Sequence, residues 1–382
     1  MLQTLKPQFI DIERQRAACE PAMTQGILAV LDHGRFVSGP EVAELESKLA
    51  AYLGVKHAVA CANGTDALQV MLRAAGIGHG DAVFVPSLTY AATAEAVALT
   101  GAIPVFVDVE LDSGNMSAES LLQAIDGFDR PDLSPKAILA VDLFGIPADH
   151  AALNAVAGAH GLKLFYDAAQ SFGSIGRQGM CGALGDGAAT SFYPSKSLGC
   201  FGDGGAMFTN DDRIADAMRV VRDHGLYGAP KAHRVLGTNS RLDTLQAAVL
   251  LTKMMVFDDE LAARQDIADR YAAELGDVVT APTVPDGTNP CWSYYRVTTP
   301  ARDALHAYLG ERGIPSVIYY KDATHLQPAF SNAVIGAGGL PATEELSRTQ
   351  LCLPVHPYLN DAELSMVIEG VRGFFMENVK AA

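Results

Sequence analysis

Residues 57–76, HAVACANGTDALQVMLRAAG, contain the local pattern that decides the fold. The first six residues form a short apolar run typical of a buried strand, and the residues from Asp66 onward carry apolar side chains at helical spacing. Asn63 and Gly64 separate the two patterns. A buried strand followed directly by a helix is the repeating unit of α/β folds.

The same alternation continues on both sides of this stretch. A helix is predicted for residues 41–54, and four further strands alternate with helices up to residue 169. These strands are 82–87, 103–109, 137–144 and 163–169, and the helices between them are 93–101, 118–125 and 150–161. Because such helices require crossover connections, the sequence predicts a mainly parallel sheet that is covered on both faces.

The length of 382 residues favours a large domain followed by a smaller one. The longest helical stretch, residues 242–276, follows a turn-rich segment, and we place the domain boundary near residue 245. The predicted large domain is 1–245. The smaller α+β domain is 246–382, with short strands predicted at 293–299 and 315–320 and a final helix at 362–379.

Charge and cysteine content exclude several classes of protein. The chain has 28 basic and 44 acidic residues, and its net charge of −16 disfavours nucleic-acid binding through a basic patch. Neither a signal sequence nor an apolar span is evident, so we expect a soluble cytoplasmic protein that does not bind membranes. No cysteine pair has metal-ligand or disulfide spacing, and no metal site is predicted; the six are Cys19, Cys61, Cys181, Cys200, Cys291 and Cys352.

Two turns that follow predicted strands carry candidate ligand-binding residues. The helix that begins near Gly64 and Thr65 would offer N–H groups and a positive dipole end to a phosphate, although Asn63 or Thr65 could simply cap it. Asp167 lies at the carboxyl end of a predicted parallel strand, where open α/β sheets bind ligands. Taken alone, Asp167 could equally be a helix cap or a loop residue.

A third segment, SFYPSKSLGCFGDGGAMF at residues 191–208, surrounds Lys196 with aromatic residues, proline and glycines. Most lysines are simply exposed surface residues. A lysine held in an enclosed pocket loses its proton more readily and acts as an amine nucleophile. This setting therefore makes Lys196 a candidate catalytic residue.

Other catalytic motifs are missing from the sequence. It contains no P-loop, no G-x-S-x-G, no H-E-x-x-H and no complete dinucleotide-binding loop after a strand. Residues 76–81, GIGHGD, follow a helix and precede a strand, so we predict a connecting turn there. Tyr193 precedes Lys196 by three residues, one fewer than in short-chain dehydrogenases, which leaves a nicotinamide enzyme as a distant alternative.

Five segments together resemble the sugar aminotransferases of the DegT/DnrJ/EryC1/StrS family, in the same order and over nearly the whole chain. They are NGTDAL (63–68), DAAQSFG (167–173), SFYPSKSLGCFGDGGAMFTND (191–211), GTNSRLDTLQAA (237–248) and HLQPAF (325–330). The resemblance implies the aspartate-aminotransferase fold of fold type I enzymes, with a seven-stranded, mainly parallel sheet. It also implies pyridoxal phosphate as cofactor and a homodimer whose active sites are shared between subunits.

The resemblance also implies individual roles. Lys196 matches the Schiff-base lysine, and Asp167 matches the aspartate that pairs with the protonated pyridine nitrogen and keeps the ring an electron sink. The other implied cofactor contacts are Tyr90 and Gln170 on the ring, Gly64, Thr65 and Ser191 on the phosphate, and Asn239 from the partner subunit. Considered singly, Tyr90 could be a core residue, Ser191 a loop hydroxyl and Asn239 a turn residue.

The implied substrate is a nucleotide-linked keto-sugar aminated at carbon 3. Arg241 would enter from the partner subunit, where its planar side chain suits the carboxylate of a uronic acid, although an intersubunit salt bridge is the alternative. Tyr319, Tyr320 and His325 match positions that contact the sugar or its nucleotide. Residues 321–324, KDAT, depart from the family's proline-containing pattern, so no role is predicted for them.

The leading hypothesis is transfer of an amino group from glutamate to UDP-2-acetamido-2-deoxy-3-oxo-glucuronate, for surface polysaccharides such as lipopolysaccharide. A dTDP-linked 3-keto-6-deoxyhexose is the alternative substrate. Two other classes are more distant. Sugar dehydratases of this family have histidine at the position of Lys196, and a non-catalytic cofactor sensor would bind pyridoxal phosphate without turning over.

Overall fold

The structure is a computed structural model that describes residues 6–331 and 333–379. The helices are α1 (Ile12–Ala18), α2 (Ala22–His33), α3 (Pro40–Leu53), α4 (Gly64–Ala74), α5 (Ala92–Leu99), α6 (Ala118–Asp126), α7 (His150–His160), α8 (Asp212–Arg222), α9 (Thr244–Lys253), α10 (Phe257–Leu275), α11 (Arg302–Glu311), α12 (Pro341–Thr349) and α13 (Asp361–Val379). The strands are β1 (His57–Cys61), β2 (Asp81–Pro86), β3 (Ile103–Val107), β4 (Ser134–Val141), β5 (Lys163–Asp167), β6 (Ile175–Gly176), β7 (Gly179–Met180), β8 (Gly187–Ser191), β9 (Gly205–Thr209), β10 (Leu226–Tyr227), β11 (Ala232–His233), β12 (Tyr295–Thr298), β13 (Val334–Ile335) and β14 (Gln350–Leu353).

A single large sheet has the strand order β1-β9-β8-β5-β4-β2-β3-β13. Its strands run parallel except β9, which pairs antiparallel with both β1 and β8. The predicted parallel α/β architecture is confirmed. The predicted number of strands, seven, is wrong for the described residues, because the short strand β13 adds an eighth at the edge, beside β3. Two residues are too few to show any hydrophobic periodicity.

Helices cover the sheet on both faces. Along β2, Ala82 and Phe84 belong to one cluster of buried apolar residues, and Val83 and Val85 belong to another. This alternation follows from the two-residue period of a strand, which directs successive side chains to opposite faces. The near-continuous apolar character of the parallel strands is thereby explained, since neither face meets water.

The C-terminal part differs from the prediction in two places. Helical structure over residues 242–276 is broken between Lys253 and Phe257, so that α9 packs against α2 and α3 while α10 packs against α13. The strand predicted at 315–320 is wrong, since only an isolated bridge between Val317 and Cys352 forms there. A third cluster of buried apolar residues is built mainly from residues after 266. The domain boundary near residue 245 stays a prediction.

The topology brings four chain turns to one edge of the sheet. Asp167 ends β5, Ser191 ends β8, Ser87 follows β2 and Gly64 follows β1. Because these strands are mutually parallel, their carboxyl ends meet at the same edge. Within the part of the chain that the structure describes, no helix is long and apolar enough to cross a membrane.

Candidate active site

A cavity of about 590 Å³ lies at this edge of the sheet, a size that suits a cofactor or small ligand. Nine of the residues predicted from the sequence to form the site line it. They are Gly64, Thr65, Tyr90, Asp167, Gln170, Ser191, Lys196, Tyr319 and Tyr320. Residues that the sequence did not single out also line it, among them Thr89, Ser195, Asp203 and Tyr294.

Lys196 lies on the loop that follows β8, at the wall of the cavity. Its backbone N–H donates to the carbonyl oxygen of Tyr193 at 2.8 Å, which fixes the turn. Among the described residues, its Nζ has no hydrogen-bond acceptor and no carboxylate within ion-pair distance. Burial lowers the pKa of Lys196, and Asp167 and Cys291 only partly offset this. An unpartnered amine with a lowered pKa is suited to nucleophilic attack on a carbonyl.

Asp167 is the last residue of β5 and is buried. The Oγ1 hydroxyl of Thr93 donates to Oδ2 at 2.7 Å, and the N–H of Ala169 donates to Oδ1 at 3.1 Å. Burial raises the pKa of Asp167, while these two hydrogen bonds and Lys196 act in the opposite direction. The carboxylate is thus fixed in orientation. Thr93 was missed from the sequence, because it lies 74 residues away on α5.

The start of α4 forms another wall of the cavity. The side chain of Asn63 accepts a hydrogen bond from the N–H of Asp66 at 2.8 Å, so Asn63 does cap the helix. Gly64 allows the helix to approach β8 closely, because a Cβ on it would lie only 2.7 Å from the Cβ of Ser191. The positive end of this helix therefore faces the cavity beside Thr65 and Ser191, an arrangement that suits a phosphate.

Aromatic residues form another part of the cavity lining. Tyr90 is 60% exposed, and its ring lies 6.3 Å from that of Tyr320. Tyr294 packs on Tyr319 with the ring centroids 4.7 Å apart. The amide of Gln170 donates to the hydroxyl of Tyr320 at 2.9 Å. This hydrogen bond connects Tyr320 to the segment after β5.

A buried cluster lies beneath this segment. His150 Nε2 and Asp142 Oδ1 are 2.7 Å apart, and the Oγ of Ser171 donates to Asp142 Oδ2 at 3.3 Å. Asp142, His150 and Cys181 offer ligand atoms within 4.8 Å of one another. Burial and the nearby Asp142 raise the pKa of Cys181 well above its ordinary value, which favours the neutral thiol. The cluster is thus accounted for as a set of hydrogen bonds that fixes the turn between β4 and α7.

Three predicted site residues lie outside the set that lines the cavity. Arg241 Nη1 is 3.4 Å from the Oδ1 of Asp223, and Asn239 forms an isolated backbone bridge with the same residue. His325 Nδ1 is 2.7 Å from the Oγ of Ser87. Their predicted roles, in the partner's site and in substrate binding, stay predictions.

These features fit pyridoxal phosphate. The cavity has an unpartnered lysine amine for the aldehyde and a buried carboxylate for the pyridine nitrogen. It also has a helix start for the phosphate, which Gly64 allows to lie close to β8. Tyr90 offers an exposed aromatic face at the same cavity.

The sequence profile of the DegT/DnrJ/EryC1/StrS aminotransferase family matches residues 17–372. The chain belongs to this family. A UDP-2-acetamido-2-deoxy-3-oxo-D-glucuronate aminotransferase of Pseudomonas aeruginosa is 41% identical over 94% of this chain and 98% of its own length. A dTDP-3-amino-3,4,6-trideoxy-alpha-D-glucose transaminase of Streptomyces venezuelae is 39% identical over 97% of this chain and 96% of its own.

Solved structures of family members superpose closely. A DegT DnrJ EryC1 StrS aminotransferase from Brucella abortus is 52% identical, with a TM-score of 0.94 over 96% of this chain and 99% of that one. NtdA from Bacillus subtilis, solved with bound cofactor PMP, is 27% identical, with a TM-score of 0.88 over 98% of this chain and 86% of that one. The predicted fold type and the predicted class, a pyridoxal-phosphate-dependent sugar aminotransferase, are confirmed.

Proposed function

We propose that the enzyme transfers an amino group from glutamate to the 3-keto group of UDP-2-acetamido-2-deoxy-3-oxo-glucuronate, in the synthesis of a surface polysaccharide. The observation that carries amino transfer is that an unpartnered Lys196 amine and a buried Asp167 line the same cavity. The likeness to the Pseudomonas aeruginosa enzyme, over nearly the full length of both chains, supports the uronate as substrate.

The proposed roles follow from chemistry and position. When bound, pyridoxal phosphate supplies an electron sink conjugated to the α-carbon of the amino donor. Burial lowers the pKa of Lys196, which suits its Nζ to act as a base: it would take the α-proton of glutamate and return a proton to the cofactor carbon on the other side of the nitrogen. Asp167 would hold the pyridine nitrogen in its cationic form. Keto acid leaves before the sugar binds, and ping-pong kinetics are expected.

The remaining cofactor contacts are proposed on the same basis. Gly64, Thr65 and Ser191 surround the helix start and would bind the phosphate. Tyr90 would stack on the ring, and Gln170, held by its hydrogen bond to Tyr320, would pack against the other face near the phenolic oxygen. Tyr319 and Tyr320 would contact the sugar. His325 would contact the nucleotide directly, or would position Ser87, with which it shares a hydrogen bond.

The charge of the cavity supports a shared site in a homodimer. Lys196 is the single basic residue among the described residues that line it, while Asp167 and Asp203 are acidic. A substrate with a diphosphate and a carboxylate needs additional cations. Arg241 can supply one from the partner subunit, because its ion pair with Asp223 is partly exposed and long, at 3.4 Å. The segment before Arg241 exposes three apolar side chains, those of Tyr227, Val235 and Leu236, the last at 87%. Neighbouring exposed apolar side chains are typical of a surface that binds another protein.

The test of the substrate compares two keto-sugars with glutamate as donor, the UDP-linked uronate and a dTDP-linked 3-keto-6-deoxyhexose. We expect kcat/KM to favour the uronate, and Arg241→Ala to lower the value for the uronate by about tenfold to a hundredfold, as for loss of a charged hydrogen bond. Arg219→Ala is the matched control, since Arg219 is also partly exposed and paired with an aspartate, Asp216.

Three outcomes would change this conclusion. Preference of the parent for the deoxyhexose would make the activity that of the Streptomyces venezuelae relative. Equal losses on both sugars in Arg241→Ala would remove the carboxylate role. A visible imine band that does not respond to glutamate would indicate a non-catalytic sensor.

A dehydratase is disfavoured because Lys196 occupies the position of its histidine. The six buried free thiols fit the reducing cytoplasm, where we place the enzyme.

A further inference from the structure

A second lysine, Lys253, is fully buried at the C-terminal end of α9, outside the cavity. Its Nζ donates to the carbonyl oxygen of Gly199 at 2.6 Å and to the Oε1 of Gln15 at 2.8 Å. The ring of Phe201 lies 4.6 Å from Nζ, within cation–π range. Among the described residues no carboxylate pairs with it directly. A buried cation is costly, so its contacts call for an explanation.

Two of these contacts are with the loop that carries Lys196. Gly199 is three residues after Lys196, and the loop is tightly folded there, since a Cβ on Gly199 would lie 2.7 Å from the carbonyl oxygen of Tyr193. The ammonium of Lys253 thus bonds the backbone of the loop close to the lysine that faces the cavity.

The same face of α9 makes a second connection to this loop. Gln246 precedes Lys253 by seven residues, two helical turns, so both side chains extend from one side of the helix. The Oε1 of Gln246 accepts a hydrogen bond from the N–H of Phe201 at 2.9 Å, and its Nε2 donates to the carbonyl oxygen of Phe201 at 3.4 Å. Helix α9 therefore holds the loop at residues 199 and 201.

The far side of Lys253 is connected to a buried acid. Gln15 Nε2 donates to both carboxylate oxygens of Glu260 at 3.0 Å, and Tyr358 donates to Oε1 at 2.6 Å. Gln15 thereby links the carboxylate to the ammonium through one amide. Because Tyr358 contacts this network without touching the loop, it offers a control for the loss of buried hydrogen bonds in general.

We propose that Lys253, together with Gln246, is a positioning residue that holds the Lys196 loop so that the Lys196 amine faces the cavity in reactive geometry. The proposal rests on the proposed role of Lys196. Loss of the Gly199 contact frees the backbone three residues from that amine. A displacement of about 1 Å in a reacting group costs about a hundredfold in rate.

The experiment compares the parent, Lys253→Met, Gln246→Met and Tyr358→Phe. Apoenzyme of each is mixed with pyridoxal phosphate, and the rate and extent of covalent attachment are followed through the imine absorbance. We expect Lys253→Met to attach the cofactor and to turn over about tenfold to a hundredfold more slowly, with the KM for glutamate changed less than about twofold. Gln246→Met should show the same losses to a smaller extent, and Tyr358→Phe should match the parent.

The outcomes separate this proposal from the proposed function. If the parent forms no imine band, the role of Lys196 is wrong and the proposal falls with it. If the parent forms the band and both Lys253→Met and Gln246→Met attach the cofactor at the parent's rate, only the positioning role is wrong. Equal losses in Tyr358→Phe would also overturn it, since general loosening would then explain them. Should Lys253→Met fail to fold, the rate at which Gln246→Met attaches the cofactor decides whether the positioning role is right.

Discussion

Lys196 and Lys253 both have lowered pKa values, and Lys253 contacts the loop that carries Lys196. Their surroundings nevertheless differ. Lys196 faces a cavity, and its ammonium finds no acceptor among the described residues. Lys253 has two oxygen acceptors and an aromatic face, and is fully buried. Burial lowers the pKa of both, that of Lys253 to about 8.

The comparison shows that burial alone does not make a lysine catalytic. A nucleophile needs a free lone pair, space for a substrate and a nearby group that stabilises the developing charge. We propose that Lys196 has all three, since Asp167 lines the same cavity. The hydrogen bonds of Lys253 occupy its N–H donors with protein oxygens, so its ammonium can hold backbone in place but cannot attack a carbonyl.

The largest effect that would test this contrast is expected from Lys196→Ala. Lys196 is the only lysine among the described residues that line the cavity, so its removal should abolish the imine band and lower transaminase activity by at least about a thousandfold, as expected when the attacking and proton-transferring group is lost. Absorbance after addition of pyridoxal phosphate and a coupled glutamate assay measure the two effects. Lys48→Ala, which removes an exposed lysine paired with Glu44, should behave as the parent. An intact imine band in Lys196→Ala would break the comparison.

A second effect concerns stability and pH. The pKa of Lys253 falls from its ordinary value of 10.5 to about 8 on folding, so between these values the unfolded chain binds more protons than the folded one. The contribution of Lys253 to the free energy of unfolding therefore rises as pH increases through this window. Relative to Lys253→Met, the parent should gain up to about 3 kcal/mol between about pH 8 and about pH 10.5.

Urea unfolding of the parent and of Lys253→Met across this pH range measures that gain. Other titrating groups cancel in the difference between the two proteins. Lys48→Met, which removes an exposed lysine paired with Glu44, is the control. Curves for Lys253→Met that run parallel to those of the parent would mean that burial does not lower the pKa of Lys253 on folding.

The smallest effect is expected from Thr93→Val. The Thr93 hydroxyl opposes the rise that burial causes in the pKa of Asp167, so its removal should raise that pKa further. Asp167 would then take up a proton at higher pH, and the acid limb of the kcat profile should move upward in pH. A loss of about tenfold on the acid side corresponds to one hydrogen bond to a charged group.

Thr93→Ser retains the hydroxyl and should restore the parent's pH profile. A uniform loss at all pH values in Thr93→Val, or no rescue by serine, would point to packing instead of the hydrogen bond. The result would then leave Asp167 positioned by the Ala169 N–H alone.

Much of the fold and of the site was open to prediction from the sequence. Apolar runs and helical spacing predicted β1 to β5 and the helices between them, because these elements are buried on regular faces. Lys196 and Asp167 were predictable because they lie in local patterns, a glycine-rich loop and the end of an apolar strand. The break between α9 and α10 and the edge strand β13 carry no such pattern.

What the sequence could not reveal depends on contacts between distant residues. Thr93 is 74 residues from Asp167, and Gln15 is 238 residues from Lys253. Neither pairing leaves a local signal, since a threonine or glutamine in a helix has many possible partners. Tyr294 was likewise recognised as part of the cavity only when the chain was folded.

The sequence by itself determined the parallel α/β fold, the family and the two residues that we propose at the centre of the chemistry, because periodicity and local motifs are properties of neighbouring residues. Only the tertiary structure decided which lysine faces open space and which is enclosed by acceptors. Both have side chains of the same length and charge, and their reactivity is set by what the fold places around each ammonium.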